Sequence, residues 1–153
     1  MKTLARTEDK ADVLRRLRAL RADSPRRWGR MSAPQMVCHL SDSFLCVIGR
    51  RPVSHASTIL WRTVMKWIAL YLPLPWPAAR IRTRPELDQL IGGTKPAEFA
   101  ADVANLEALV DLVTSHPRTV EWSPHPLFGR MSEADWLRWG YLHMDHHLRQ
   151  FGA

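Results

Sequence analysis

"FGRMSEADWLRWGYLHMDHHLRQFG", residues 128–152, opens on a helix start and runs into three of the chain's seven histidines. Ser132 followed three residues later by Asp135 places a hydroxyl at an N-cap and a carboxylate able to reach back to it. The same words occur a hundred residues earlier in "WGRMSAPQMVCHLSDSF", residues 28–44, where Ser32 and Gln35 make the standard capping-box pair. In both stretches an aromatic residue precedes Gly-Arg-Met-Ser, and two helices are predicted to start at these serines. The four-residue echo is too short to establish a duplication.

Two further helices complete the pattern. Ala11, Leu14, Leu17 and Leu20 recur at helical spacing and predict a helix over about 8–22. Phe99, Val103, Leu106, Val110 and Val113 predict another over about 96–115, with Pro96 in its first turn and Pro117 beyond its end. Both stripes read as core. Between the second and third of these four helices, residues 51–95 form a long crossover whose first half predicts an additional amphipathic helix over about 56–71. "LPLPWPAARIRTRPEL" then reads as a proline-rich extended passage. A crossover of this length suits a four-helix bundle whose middle helices run parallel. The expected fold is all-α: a four-helix bundle, up-down-down-up, in a single domain over residues 1–153.

Counted from the caps, the histidines acquire depth. His39 lies seven residues after Ser32, and His143 and His147 lie eleven and fifteen after Ser132. His143 and His147 are i and i+4 and share a helix face, whereas His146 points about 100° away from that row. In antiparallel helices, a depth of roughly 10 Å for His39 and roughly 20 Å for the pair add to about 30 Å, the length of a 20-residue helix. All three imidazoles then fall at one level. A parallel arrangement would leave them roughly 10 Å apart along the axis.

Three neutral imidazoles on two rigid helices offer nitrogen ligands with coordination positions left for water or substrate, as in catalytic zinc sites. Such an ion lowers the pKa of bound water or stabilises a thiolate. Asp42, one turn beyond His39, is a candidate to orient a ligand imidazole or a water, with Asp145 and His146 as weaker supporting candidates. An HxxxH without the Glu of HExxH is no zincin signature, and buried histidines are often satisfied by hydrogen bonds alone. A metal site and a polar histidine stripe therefore both remain open from spacing. His55, His116 and His125 lie beside loops or prolines and receive no role, His125 reading as a turn residue.

The 46% hydrophobic content supports a real core, and "MKTLARTEDKADVL" contains no apolar signal region. The most apolar stretch, residues 56–76, carries Arg62 and Lys66 and is broken by Pro73 and Pro75, so it is a poor membrane span. Cys38 and Cys46, eight residues apart on one helix, stand roughly 12 Å apart, too far for a disulfide. Reduced buried thiols and a cytoplasmic location are expected. The net charge of +7 includes seven arginines in "RRLRALRADSPRRWGR". These interleave with leucine and alanine and accompany no nucleic-acid motif, so a solvated helix face is the favoured reading.

"WGRMSAPQMVCHLSDSF" followed by "HPLFGRMSEADWLRWGYLHMDHHLRQFG" resembles the DinB-like superfamily of metal-dependent four-helix-bundle proteins, most nearly a branch of unknown function ending in an HxxHHLRQFG-type motif. The resemblance runs along essentially the whole chain, though only the two blocks are specific. It implies the up-down-down-up bundle and a metal triad of His39, His143 and His147 binding zinc or nickel. It also implies frequent homodimers and relatives that are S-transferases using low-molecular-weight thiols such as bacillithiol or mycothiol. The related sulfoxide synthases carry HxxxHxE; Arg149 occupies the last place here and argues against that chemistry.

The leading expectation is a metal-dependent enzyme, a thiol S-transferase in its most specific form, acting on a small-molecule substrate, with water activation as another reaction class. Arg149 is a candidate to attract an acidic substrate. The alternative is a non-catalytic bundle with a structural or vestigial histidine site, acting through dimerisation or partner binding at the 56–71 helix with Trp61 and Trp67. Nucleic-acid binding through the arginine-rich segment ranks last.

Overall fold

A computed structural model describes residues 1–73, 75–76, 83–117 and 119–153. Among the described residues five α-helices occur in chain order: α1 (Thr7–Arg18), α2 (Ala33–Val47), α3 (Lys66–Tyr71), α4 (Phe99–Thr114) and α5 (Glu133–Gln150). A π-helical stretch, Trp61–Met65, leads into α3, and a 3₁₀ turn, Pro85–Leu87, lies between α3 and α4. Among the described residues there is no strand, and no helix is long and apolar enough to cross a membrane. Part of the proline-rich passage, Leu74 and residues 77–82, lies outside the described residues.

Both caps form as the spacing predicts. The Ser32 hydroxyl accepts from Gln35 N–H while Gln35 Oε1 accepts from Ser32 N–H, and Ser132 and Asp135 exchange the same pair of bonds. Each cap follows a glycine in the left-handed region, Gly29 at φ 78° and Gly129 at φ 68°. The shared Gly-Arg-Met-Ser is thus one local device used twice: a turn, then a capped helix.

The other helices differ in detail from their periodicities. α1 ends at Arg18, because the chain turns through Leu20 and Ser24 instead of continuing to 22. Its inward face is Val13, Leu14, Leu17 and, just beyond the helix, Leu20; Ala11 faces solvent. α4 begins at Phe99, not at Pro96, since the Glu98 side chain accepts from Ala101 N–H and serves as N-cap. Leu106, Leu109, Val110 and Val113 fill the core, while Phe99 and Val103 pack at its margin.

The main core joins α1, α2, α4 and α5 through residues such as Leu17, Met36, Phe44, Leu106 and Met144. A second cluster of Val47, Leu70, Phe128, Trp136 and Trp139 places α3 against α5. Polar ties hold α3 there. Tyr71 Oη donates to Asp135, the capping acid of α5, and Arg138 Nε donates to the Leu70 carbonyl at 2.9 Å. Contacts that advance along α2 retreat along α5: His39 meets His147, and Phe44 meets Trp139. The two capped helices are therefore antiparallel, the arrangement in which the histidine depths coincide.

Candidate metal centre

His39 projects from the middle of α2 and His143 and His147 from successive turns of α5. Their ring centroids lie 5.2 Å (His39–His143), 4.8 Å (His39–His147) and 4.9 Å (His143–His147) apart. One ligand nitrogen from each falls within 4.8 Å of the others, and all three side chains are buried. The spacing counted from the caps thus becomes a converged triad.

Hydrogen bonds behind the rings set their tautomers. His39 Nδ1 lies 2.8 Å from the Leu87 carbonyl, which only accepts, so Nδ1 carries the proton and Nε2 presents its lone pair. His147 Nδ1 lies 3.0 Å from Gln150 Oε1. The Gln150 amide is oriented by its other end, where Nε2 donates to the Trp28 carbonyl at 2.8 Å, so it too acts as an acceptor toward the ring. His147 Nε2 is therefore also free to ligate.

His143 completes the set differently. Its Nε2 stands 3.3 Å from His39 Nε2, while its Nδ1 is buried with no hydrogen-bond partner among the described residues. Two nitrogens about 2.0–2.1 Å from one tetrahedral zinc ion stand roughly 3.3 Å apart, so this pair already has ligand spacing. Burial lowers the pKa of His39 and holds His143 and His147 well below the usual imidazole range, with neighbouring histidines adding to the effect. With its proton on Nε2, a neutral His143 donates to the His39 lone pair; three neutral imidazoles with one nitrogen each within 4.8 Å of the others fit a divalent cation, which would replace that hydrogen bond.

Aromatic side chains wall the triad. Trp139 lies 4.7 Å from the His143 ring, centroid to centroid, and Trp76 lies 6.1 Å from it, with the Trp76 indole N–H donating to the Ala69 carbonyl. His146 is half-buried between Trp28 and Trp76, its ring edge-on to His147 at 5.1 Å.

The carboxylates proposed from sequence act elsewhere. Asp42 accepts from Gln89 Nε2 (2.9 Å), Thr94 N–H (2.8 Å) and Thr94 Oγ1 (2.7 Å), and pairs with Arg51 at 3.0 Å. Its carboxylate is taken up by residues at the two ends of the crossover, and the Leu87 carbonyl takes the His39 position expected for it. Asp145 pairs with Arg16 at 2.8 Å and Arg149 at 2.9 Å. That pairing also commits Arg149 to a neighbour on its own helix.

Gln150 was legible in principle, three residues beyond His147 on the same helix face. Gly29 is part of its placement: a Cβ there would sit 2.5 Å from Gln150 Nε2. The Leu87 carbonyl carries no signal in its side chain, and no local pattern could have pointed to it. Cys38 and Cys46 are free and buried, with burial raising their thiols to about 12 and about 11, so neither is a nucleophile at neutral pH.

Gln150→Leu should leave the bundle folded yet weaken metal binding by about 10–100-fold, the usual consequence of losing the partner behind a ligand histidine. Competition with a chromogenic zinc chelator measures this, and unchanged affinity would show that Gln150 has no part in the site.

His125, given no metal role from sequence, is a buried turn residue. Its Nδ1 accepts from Leu127 and Phe128 N–H, both at 3.1 Å, and burial pushes its pKa down to about 3. A neutral buried histidine titrates below its unfolded counterpart, so the unfolded chain takes up protons first as pH falls. Stability from this source is complete above about pH 6.5 and is lost progressively toward pH 3, by up to about 1.4 kcal/mol per unit for each such histidine. Urea midpoints of metal-free protein should therefore drop clearly between neutral pH and about pH 5. Equal midpoints would contradict the buried neutral state.

The model of a family described as "Protein of unknown function (DUF1569)" matches residues 2–153. Neither a curated protein nor a solved structure matches the chain.

Proposed function

We propose that this chain, which belongs to the DUF1569 family of proteins of unknown function, is a metal-dependent enzyme built on His39, His143 and His147. One observation carries the reading: two of three buried imidazoles are held from behind at Nδ1, so that Nε2 atoms face a common point. Hydrogen bonds at Nδ1 would satisfy a buried histidine on their own; what favours a ligand is that each of the three buried rings also brings one nitrogen within 4.8 Å of the others.

The wider architecture supports the same reading. Ion pairs Lys10–Asp111 and Arg18–Glu107 run oppositely along α1 and α4, whereas Leu4–Leu137 and Arg16–Asp145 run in step toward and along α5. Together with antiparallel α2 and α5, these directions favour the up-down-down-up bundle and a place in the DinB-like superfamily. Zinc or nickel suits three imidazole nitrogens.

A divalent ion in this site supplies Lewis acidity, lowering the pKa of a thiol or water brought to it. The chain's own part is to present three neutral nitrogens, hold two rings against rotation through Leu87 and Gln150, and restrict water with Trp76 and Trp139. The specific reaction we favour is S-transfer from a low-molecular-weight thiol: its S–H bond is lost, an S–C bond forms on an electrophile, and the leaving group departs. The protein would do this as a cytoplasmic homodimer.

The test is metal content by mass spectrometry on untagged protein purified without chelator, beside His39→Ala, followed by turnover of thiols with a chromogenic aryl halide. Near-stoichiometric zinc or nickel, lost in the variant together with turnover, is expected. Wild-type protein that stays empty even after added zinc and nickel would end the proposal.

A second reading rests on a different feature. Leu60, Val64, Trp67 and Tyr71 line one face of the crossover helix and are all exposed. Such a face favours a bundle acting through dimerisation or a partner, with the triad as a structural site. In that case stripping the metal would unfold the protein, and no thiol would turn over.

A further inference from the structure

Away from the triad, a cleft of about 530 Å³ is lined by His55, Ser57, Arg62, Phe128, Gly129 and Arg130, with Pro124 at its edge. Its size lies within the range of small-molecule sites, about 300–1,000 Å³. We propose that this cleft is a second binding site, for a small anion carrying an apolar or aromatic body, such as an aryl phosphate monoester or an aryl carboxylate.

Charge is the first argument. The lining holds two arginines and a histidine and no carboxylate. Among the described residues, Arg15 faces Asp12, Arg16 Asp145, Arg18 Glu107, Arg51 Asp42 and Arg149 Asp145. Arg62 and Arg130 form no ion pair among the described residues, and the Arg62 guanidinium donates to the neutral Ser57 hydroxyl, so two positive charges in one concavity lack a counter-charge.

The cleft is also preorganised. Arg62 Nε and Nη2 both donate to Ser57 Oγ, at 3.1 and 3.0 Å, and its stem lies across Gly129, where even a Cβ would come within 3.4 Å. Ala56 N–H donates to the Pro126 carbonyl at 3.0 Å, tying the two walls together. His125 and Gly129 exchange backbone bonds of 2.8 and 2.9 Å next to Arg130 in sequence. Such a framework fixes the backbone that carries Arg130 and the Arg62 side chain before a ligand arrives.

The floor selects the body of the ligand. Phe128 is buried in the second core cluster, with its ring stacked on His125 at 4.5 Å and tilted against Trp61 at 6.2 Å. Phe128 is 4% exposed, so the apolar surface beside the two arginines is chiefly that of exposed Pro124, suited to an aromatic or alkyl group whose anionic end reaches them. The same rings separate the cleft from the metal centre: Phe128 contacts His125, His125 contacts Trp139, and only Trp139 reaches His143. An occupant of the cleft does not touch the triad.

Calorimetric titration of the metal-loaded chain tests this with phenyl phosphate, benzoate, inorganic phosphate and neutral benzyl alcohol. Saturable one-to-one binding of an aryl anion is expected, weakened by about tenfold or more in Arg62→Gln and in Arg130→Gln, and absent for benzyl alcohol. The tighter of phenyl phosphate and benzoate identifies the head group. Both arginines are exposed, so unchanged metal content in the two variants certifies their fold. His143→Ala should bind the aryl anion as the wild type does. The proposal is overturned if neither aryl anion binds saturably, or if both arginine variants bind as well as the wild type. Inorganic phosphate matching phenyl phosphate, or a loss of binding in His143→Ala, would overturn it equally.

Discussion

His143→Ala is expected to abolish metal binding while leaving a folded bundle. His143 Nε2 stands 3.3 Å from His39 Nε2, and without it the remaining two imidazoles sit on different helices with no third ligand atom converging on them among the described residues. Affinity should fall by more than about 100-fold, beyond the 10–100-fold typical of a lost supporting partner. The fold should survive, because His143 has a single side-chain hydrogen bond to lose, with His39 Nε2, and its Nδ1 has no partner among the described residues. Thermal melting separates the two effects. Zinc at about 100 times its Kd adds about 2.7 kcal/mol to a protein that binds only when folded, or roughly 5–10 °C for a chain of this size. That shift should appear in the wild type and vanish in the variant, whose metal-free melting should stay near that of metal-free wild type. A zinc-dependent shift of the same size in both proteins would show that the ion binds elsewhere.

Asp42→Ala should cost more stability than any change at the triad. The side chain is 1% exposed and receives three hydrogen bonds and an arginine. Its removal strands the buried Gln89 amide and takes an acceptor from Thr94 and from Arg51, which keeps the Glu86 and Gly92 carbonyls, a loss on the order of 1–3 kcal/mol. The consequence reaches the metal site indirectly. Asp42 anchors Gln89 and Thr94 to α2, and the same segment delivers the Leu87 carbonyl to His39 Nδ1. Zinc affinity should therefore drop by about tenfold, as for a weakened outer partner, even in conditions where the variant is folded. Asp42→Asn, which retains an acceptor for Thr94, should lie between the two. Urea unfolding and chelator competition measure the pair of effects. A destabilisation below about 1 kcal/mol would mean that the carboxylate behaves as a surface charge.

These two residues mark the boundary of what could be read without coordinates. His39 and His143 were found because capping boxes are local: Ser32 with Gln35 and Ser132 with Asp135 determine where each helix begins, and a rise of 1.5 Å per residue carries that origin to the histidines. Asp42 was assigned to His39 because one helical turn separates them, yet its partners come from residues 51, 89 and 94. Asp145 and Arg149 were misread in the same way. Periodicity places a charged side chain on a face, but its partner depends on which element packs there. Ala11 and Pro96 show the smaller version of this limit, since a stripe or a proline suggests a helix without saying where solvent begins or which residue caps it.

The sequence by itself determined two capped helix starts, the level of three histidines along their axes, and two thiols too far apart to join, all consequences of short-range geometry along one chain. Only the tertiary structure decided which nitrogen each ligand histidine offers. That choice belongs to the Leu87 carbonyl, brought from the far part of the crossover, and to Gln150, whose amide is turned by the Trp28 carbonyl. The two ring nitrogens are alike until an acceptor approaches one of them, and these acceptors arrive only when distant segments pack together.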